Sequence, residues 1–206
     1  MNIQVPVEHY FKKSYDTKAR FISYWHQIDE IVQFNPTTIL EIGIGNGFVS
    51  DYLKKRGYYI KTIDIDERLN PDYIGNVLNL PFDDSSFQVV SCCEVLEHIP
   101  YENFKTALSE IYRVTNNYAI ISIPDVTRAY RLDIQIPKIG EITKLIVLPK
   151  RKKIIHKFDG EHYWEIGKKN YPLNKIINDI NLSGFTILKT YRIIEFKYHR
   201  FFILKK

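Results

Sequence analysis

A chain of 206 residues fits a single domain, since single cores stop growing near about 250 residues. With 45% hydrophobic residues, 15 tyrosines and 12 phenylalanines it can cover a sizeable core, which excludes a disordered chain. The net charge of +5 conceals a split: 11 basic and 17 acidic residues through Thr127, then 18 and 7 from Arg128 onward. A basic second half suits an anionic substrate, nucleic acid or an anionic membrane surface, beside the plainer reading of a lysine-rich solvated face. Cys92 and Cys93 are neighbours, and a bridge between them would close almost no loop, so both are expected reduced in a cytoplasmic protein. No apolar run approaches the roughly 20 residues of a bilayer span, and the first ten lack a signal peptide's apolar stretch. The expectation is a soluble protein, at most peripheral to the inner face of a membrane.

In chain order, residues 17–34 carry Phe21, Tyr24, Trp25, Ile28, Ile31 and Val32 at helical spacing, and Asn35-Pro36 ends the helix. Residues 38–42 read as a short strand running into glycines. Residues 49–56 form a helix stopped by Gly57, and residues 58–63 a strand ending at Asp64. Two strand-to-helix units in series imply a parallel sheet. Further strands are expected over residues 73–77, 87–93 and 118–123, the last broken by Pro124, with a helix over residues 101–114 burying Phe104, Leu108 and Ile111. Residues 125–169 show no strand-helix rhythm and exceed an ordinary connection. A helix over residues 173–182, closed by Gly184, precedes strands 185–194 and 198–204, an antiparallel pair. The fold class is therefore α/β: a Rossmann-like, doubly wound, seven-stranded sheet, mostly parallel with an antiparallel last strand. One domain spans residues 1–206, comprising an N-terminal helical segment (1–35), a core (36–124), an insertion or lid (125–169) and a C-terminal helix with hairpin (170–206).

Glu41-Ile42-Gly43-Ile44-Gly45-Asn46-Gly47 stands where the first strand turns into a helix. Glycines there let backbone approach a ligand closely and permit positive φ. The dinucleotide fingerprint needs glycine at position 48, which is Phe48, so that reading loses its third glycine. Asp64 lies 21 residues after Gly43 at a strand end, where a carboxylate can accept both hydroxyls of a ribose.

The Gly-x-Gly-x-Gly spacing, with Glu41 two places ahead, resembles motif I of the Rossmann-like methyltransferases. The run Gly75-Asn76-Val77-Leu78-Asn79-Leu80-Pro81-Phe82, followed by Ser86-Phe87, is similar to that family's adenine-framing segment. Cys93-Glu94-Val95-Leu96-Glu97-His98-Ile99-Pro100 looks like the segment that closes over the methionine end of the cofactor. Type, order and spacing together resemble the class I S-adenosylmethionine-dependent methyltransferases of the ubiquinone and menaquinone biosynthesis type. The resemblance implies S-adenosyl-L-methionine as cofactor, on Glu41, Gly43, Gly45 and Gly47, with ribose on Asp64 beside Ile65. It further implies adenine against Asn76, Val77 and Leu78, and the methionine end near Glu94. Asn76 stands where an aspartate is common, which costs a charge. Arg20, on the helix before motif I, matches an arginine that reaches the cofactor carboxylate in the ubiquinone O-methyltransferases.

Methyl transfer from a sulfonium is an in-line displacement whose rate owes much to alignment, so no covalent nucleophile is required. His98, after the fourth strand, is the candidate base for an acceptor hydroxyl, or else a histidine capping the next helix. Within Phe158-Asp159-Gly160-Glu161-His162-Tyr163-Trp164-Glu165, Glu161 and His162 could polarise an acceptor. Tyr163 and Trp164 are then either pocket walls or anchors folding the insertion onto the sheet. Ile139, Ile142, Leu145, Ile146 and Leu148 keep roughly helical spacing before the basic run Pro149-Lys150-Arg151-Lys152-Lys153, with Lys157 beyond. That pairing suits a membrane-surface helix, a lid over an anionic substrate, or an ordinary surface helix. No metal is expected. The function expected is methyl transfer to O or N of a small, anionic, glycan- or lipid-linked acceptor. An RNA methyltransferase is the alternative, weakened by the lack of an RNA-binding module and of an Asn/Asp-Pro-Pro-Tyr/Phe motif after the fourth strand. A non-catalytic cofactor-binding protein is a third reading.

Overall fold

The computed structural model describes residues 3–138, 140–148 and 154–206. Its framework is a seven-stranded sheet of β1 (Ile39–Ile42), β2 (Ile60–Asp64), β3 (Tyr73–Ile74), β4 (Phe87–Cys93), β5 (Thr115–Pro124), β8 (Thr186–Arg192) and β9 (His199–Lys205). These lie in the order β3-β2-β1-β4-β5-β9-β8. β1 pairs in parallel with both β2 and β4, and β4 with β5. β9 runs antiparallel between β5 and β8, so it is the strand of reversed direction. A separate two-stranded hairpin, β6 (Ala129–Ile136) and β7 (Gly140–Val147), completes the strand set.

Alternation along the strands feeds two cores. Ile39, Val89, Ile120 and Ile203 point to one face, where α1 (Lys18–Val32) and α2 (Phe48–Lys55) supply Tyr24, Ile28, Ile31, Val49 and Leu53. Leu40, Val90, Ile121, Phe202 and Leu204 point to the other, under α3 (Phe104–Val114) and α4 (Leu173–Leu182). Each fully buried aliphatic side chain contributes about 1.5–3 kcal/mol. Doubly covered strands therefore read as apolar runs. Thr17 starts α1 by accepting the Arg20 N–H at 3.2 Å, while Phe21 and Trp25 stay exposed.

Three local expectations change. The third strand ends at Ile74, because Gly75 packs against Ile63, where a Cβ would lie 2.7 Å from Cδ1, and the chain then turns. Pro124 does not break β5; it is its last residue, opposite His199. The apolar residues read as helical after position 139 lie on a strand: Ile142 faces Ile134 and Ile146 faces Tyr130 across β6–β7. A four-residue repeat satisfies both a helix face and every second residue of a strand, which is why the spacing misled. Ile139 and the basic run 149–153 lie outside the described residues. Among the described residues, no helix is long and apolar enough to cross a membrane.

Candidate functional site

Because β1 has parallel neighbours on both sides, the connections leaving β1 and β4 diverge to opposite faces and leave a crevice at their carboxyl ends, where open α/β sheets bind ligands. A cavity of about 490 Å³ lies there. Its wall includes Glu41, Gly43 and Gly45 after β1, Asp64 and Ile65 after β2, Val77 after β3, and Glu94, Glu97 and His98 after β4. Arg20, Glu161 and His162 also line it.

The glycine loop needs its glycines. Gly43 holds φ +82°, and a Cβ on it would sit 2.3 Å from Val95 Cγ2, so this position joins the loops after β1 and β4 in close contact. The Gly43 N–H continues the β1–β2 ladder onto the Ile63 carbonyl at 2.9 Å. Asp64 then fixes the loop: Oδ2 accepts the Ile44 N–H and Oδ1 the Asp66 N–H, each at 3.0 Å. Burial pushes its pKa up, opposed by those backbone donors. Beneath the loop, burial pushes Glu41 up to about 8, and its Oε2 has no protein partner. A glycine floor, a carboxylate at the β2 end and an orphaned carboxyl oxygen fit the ribose and amino acid parts of S-adenosylmethionine.

On the β4 side, Glu94 adopts φ +54°, turning its side chain back toward the sheet. There Oε1 accepts from Ser122 at 2.7 Å and Oε2 faces His199 Nε2 at 3.3 Å, while Ser23 holds His199 Nδ1 at 2.8 Å. Burial raises Glu94 to about 7 and lowers His199 to about 3, so His199 is neutral and donates from Nε2. His98 closes the turn Leu96–His98. Its Nδ1 faces Gln4 Oε1 at 2.7 Å and the Glu161 carbonyl at 3.0 Å, both acceptors, so the proton resides on Nδ1 and Nε2 keeps its lone pair. It caps no helix. Burial lowers its pKa to about 4, which keeps the ring neutral. His162 meets it edge to face, ring centroids 4.9 Å apart, with Nδ1 on Glu165 Oε1 at 3.2 Å.

Of the residues expected at the site, Gly47, Asn76 and Leu78 do not line the cavity. Gly47 caps α2 with a left-handed φ, and Asn76 Oδ1 accepts the Leu78 N–H at 3.0 Å, shaping the turn that presents Val77. Trp164 is no pocket wall: it is fully buried against Tyr101 and Phe104, with Nε1 3.1 Å from both the Leu96 and Ile99 carbonyls. Tyr163 stacks on Phe158 at the surface. Among the described residues of 125–169, Glu161 and His162 line the cavity, and those of the hairpin β6–β7 do not. The segment before α1 lines the cavity as well. Tyr15 and Tyr10 lie over Gly45, Arg20 stacks on the Tyr15 ring at 3.9 Å, and Gln4 brackets His98. Asn46 ties the same segment down through Asp16 at 3.0 Å and Tyr24 at 3.2 Å. The cluster of Tyr10 and Tyr15 ahead of Arg20 was the available signal in a stretch that otherwise reads as polar.

The fold is the Rossmann-like one of the class I S-adenosylmethionine-dependent methyltransferases. Residues 40–123, about two fifths of the chain, match the family described as methyltransferase domain. An uncharacterized protein of Methanocaldococcus jannaschii is 32% identical over 90 residues, 40% of this chain. The match spans about two fifths of that relative's length, 39%. Among solved structures, an S-adenosylmethionine-dependent methyltransferase from Clostridium acetobutylicum superposes with a TM-score of 0.66 at 14% identity, covering 97% of this chain and 99% of that one. The Burkholderia thailandensis 1,6-didemethyltoxoflavin-N1-methyltransferase, bound to its didemethyl substrate and S-adenosylhomocysteine, gives 0.63 at 12%, covering 93% and 79%. Magnesium protoporphyrin IX methyltransferase from Synechocystis PCC 6803 gives 0.62 at 16%, covering 91% and 84%. At such identities these likenesses speak for the fold.

Proposed function

We propose that this chain methylates an oxygen or nitrogen of a small acceptor, with cofactor and acceptor sharing the cavity at the carboxyl ends of β1, β2 and β4. The observation that carries the reading is one cavity bounded by Gly43, Gly45 and Asp64 and also by His98 and His162. S-adenosylmethionine, when bound, supplies an electrophilic methyl group. Asp64 would hold the ribose hydroxyls, Val77 with Ile65 the adenine, and Glu41, Glu94 and Arg20 the charged amino acid end. Gly47, Asn76 and Leu78 would support these groups through the loop and turn they shape. His98 and His162 would activate the acceptor, since His98 Nε2 retains a lone pair in a wall of the cavity. Tyr10 and Tyr15, which lie over Gly45, would shield the bound cofactor from water.

An anionic acceptor, carried on a glycan or lipid, is supported by the 18 basic against 7 acidic residues from Arg128 onward. Peripheral membrane contact is supported by exposed Leu132 and Ile134 on β6, Ile146 on β7 and Leu148, the last of which directly precedes the basic run 149–153 in sequence. The test is calorimetry. S-adenosylhomocysteine should bind, NAD should not, and Asp64→Ala should weaken binding by about 10–100-fold, the worth of one to two hydrogen bonds to a charged group. Tighter binding of NAD, or unchanged affinity in Asp64→Ala, would overturn the reading.

A further inference from the structure

Glu97 is an expensive residue in its present position. It is fully buried, and neither carboxyl oxygen has a hydrogen-bond partner in the protein. A buried carboxylate without partners costs several kcal/mol unless it is neutralised or coordinates an ion. Its surroundings indicate which. One carboxyl oxygen of Glu97 and one nitrogen each of His98 and His162 all lie within 4.8 Å of one another. All three residues line the cavity.

Both imidazoles are prepared as ligands. His98 Nδ1 donates to the Gln4 amide oxygen and the Glu161 carbonyl, which fixes the tautomer and leaves Nε2 free, 3.9 Å from Glu97 Oε1. His162 Nδ1 lies on the Glu165 carboxylate at 3.2 Å, and Tyr198 donates to the same oxygen at 2.6 Å. A carboxylate or carbonyl on the far nitrogen is the usual outer support of a metal-bound histidine, orienting the ring and raising its basicity. Two such histidines in one three-residue cluster are more than ring packing requires.

We propose that Glu97, His98 and His162 bind one divalent first-row transition metal ion, such as Mn²⁺, Fe²⁺, Co²⁺ or Zn²⁺, beside the acceptor. Two imidazoles and one carboxylate suit these ions better than Mg²⁺ or Ca²⁺, which take all-oxygen sites. Three protein ligands leave coordination positions open toward the cavity. This rests on the methyltransferase reading and specifies how His98 and His162 act within it: through the ion, on a hydroxyl acceptor. A coordinated hydroxyl has a depressed pKa and loses its proton to solvent; its oxygen then bonds to the methyl carbon as the carbon–sulfur bond breaks, leaving the thioether. Sequence distance hid the cluster, since His162 lies 64 residues beyond His98 and matches no short ligand motif.

The test uses the full chain, stripped with chelator and titrated with Co²⁺ followed by visible absorption, and with Mn²⁺ followed by electron paramagnetic resonance. One ion per chain is expected. Outer-shell partners are worth about 10–100-fold in metal affinity, so Glu97→Gln, His98→Gln and His162→Gln should each weaken binding by about 100-fold or more. Glu165→Gln should weaken it by about 10–100-fold. S-adenosylhomocysteine affinity, measured on the same samples, should stay within about threefold, which reports that each variant is folded. Absence of Co²⁺ and Mn²⁺ binding at millimolar ion, or binding indifferent to His162→Gln, overturns the metal site while leaving the methyltransferase intact. Failure of S-adenosylhomocysteine to bind overturns the methyltransferase reading instead.

Discussion

Glu41 gives the sharpest prediction because its energetic position depends on pH. Burial lifts its pKa from 4.5 to about 8, so the folded chain holds a proton there that the unfolded chain releases. Between pH 4.5 and 8 the folded state therefore binds the extra proton, and stability falls as pH rises through that window. At about 1.4 kcal/mol per pH unit, the cost of charging is about 3 kcal/mol at pH 7 and saturates near 5 kcal/mol above pH 8. Glu41→Gln abolishes the titration while keeping the shape. Urea unfolding from pH 6 to 9 should show the variant gaining on the parent by about 3 kcal/mol across that range, whatever its constant offset. A difference that stays flat with pH refutes the reasoning. The same linkage predicts that S-adenosylmethionine, with its positive charges, releases protons on binding near pH 7, read from calorimetry in buffers of different ionisation enthalpy.

Further outcomes follow from packing. Gly43→Ala combines a clash with Val95 and a left-handed φ, and should lose about 1–3 kcal/mol of stability by thermal melting, with a larger loss of S-adenosylhomocysteine affinity by calorimetry. Trp164→Ala should cost about 3–5 kcal/mol in urea, whereas a pocket residue would change ligand affinity at little cost in stability. Asp125→Asn should cost about 3–5 kcal/mol, because buried Asp125 accepts Arg200 Nε at 2.7 Å and lies 3.8 Å from Arg192 Nε, leaving both guanidinium groups uncompensated when its charge is removed.

What the sequence disclosed was chiefly local. The strand, glycine loop and helix from Ile39 to Lys55 could be read because apolar run, punctuation and backbone demand coincide within a few residues. The parallel core and the antiparallel last strand followed from the same reasoning extended along the chain, whereas the spatial order of the strands did not. Readings failed where one pattern served two structures, as with Ile142 and Ile146, whose spacing fits a helix as well as the strand they form. They also failed where meaning depends on distant partners. Tyr10 and Tyr15 are unremarkable until they are seen over Gly45, and Trp164 could be wall or anchor until its N–H is found between two carbonyls after β4. His98 was singled out for its strand-end position, but its fixed tautomer depends on Gln4, 94 residues away.

The placement of β9 has a consequence for biosynthesis. β5 is complete at Pro124, yet the strand that pairs with its outer edge ends at Lys205. At translation rates of about 5–20 residues per second, the edge of β5, with Ile120 and Ile121, stays unpaired for about 4–16 seconds on each nascent chain. An apolar open edge is a template for pairing with other chains. Yield in cells should therefore be governed by how long that edge waits for its partner, so slower synthesis through residues 125–198 should lower soluble yield even where the finished protein is stable.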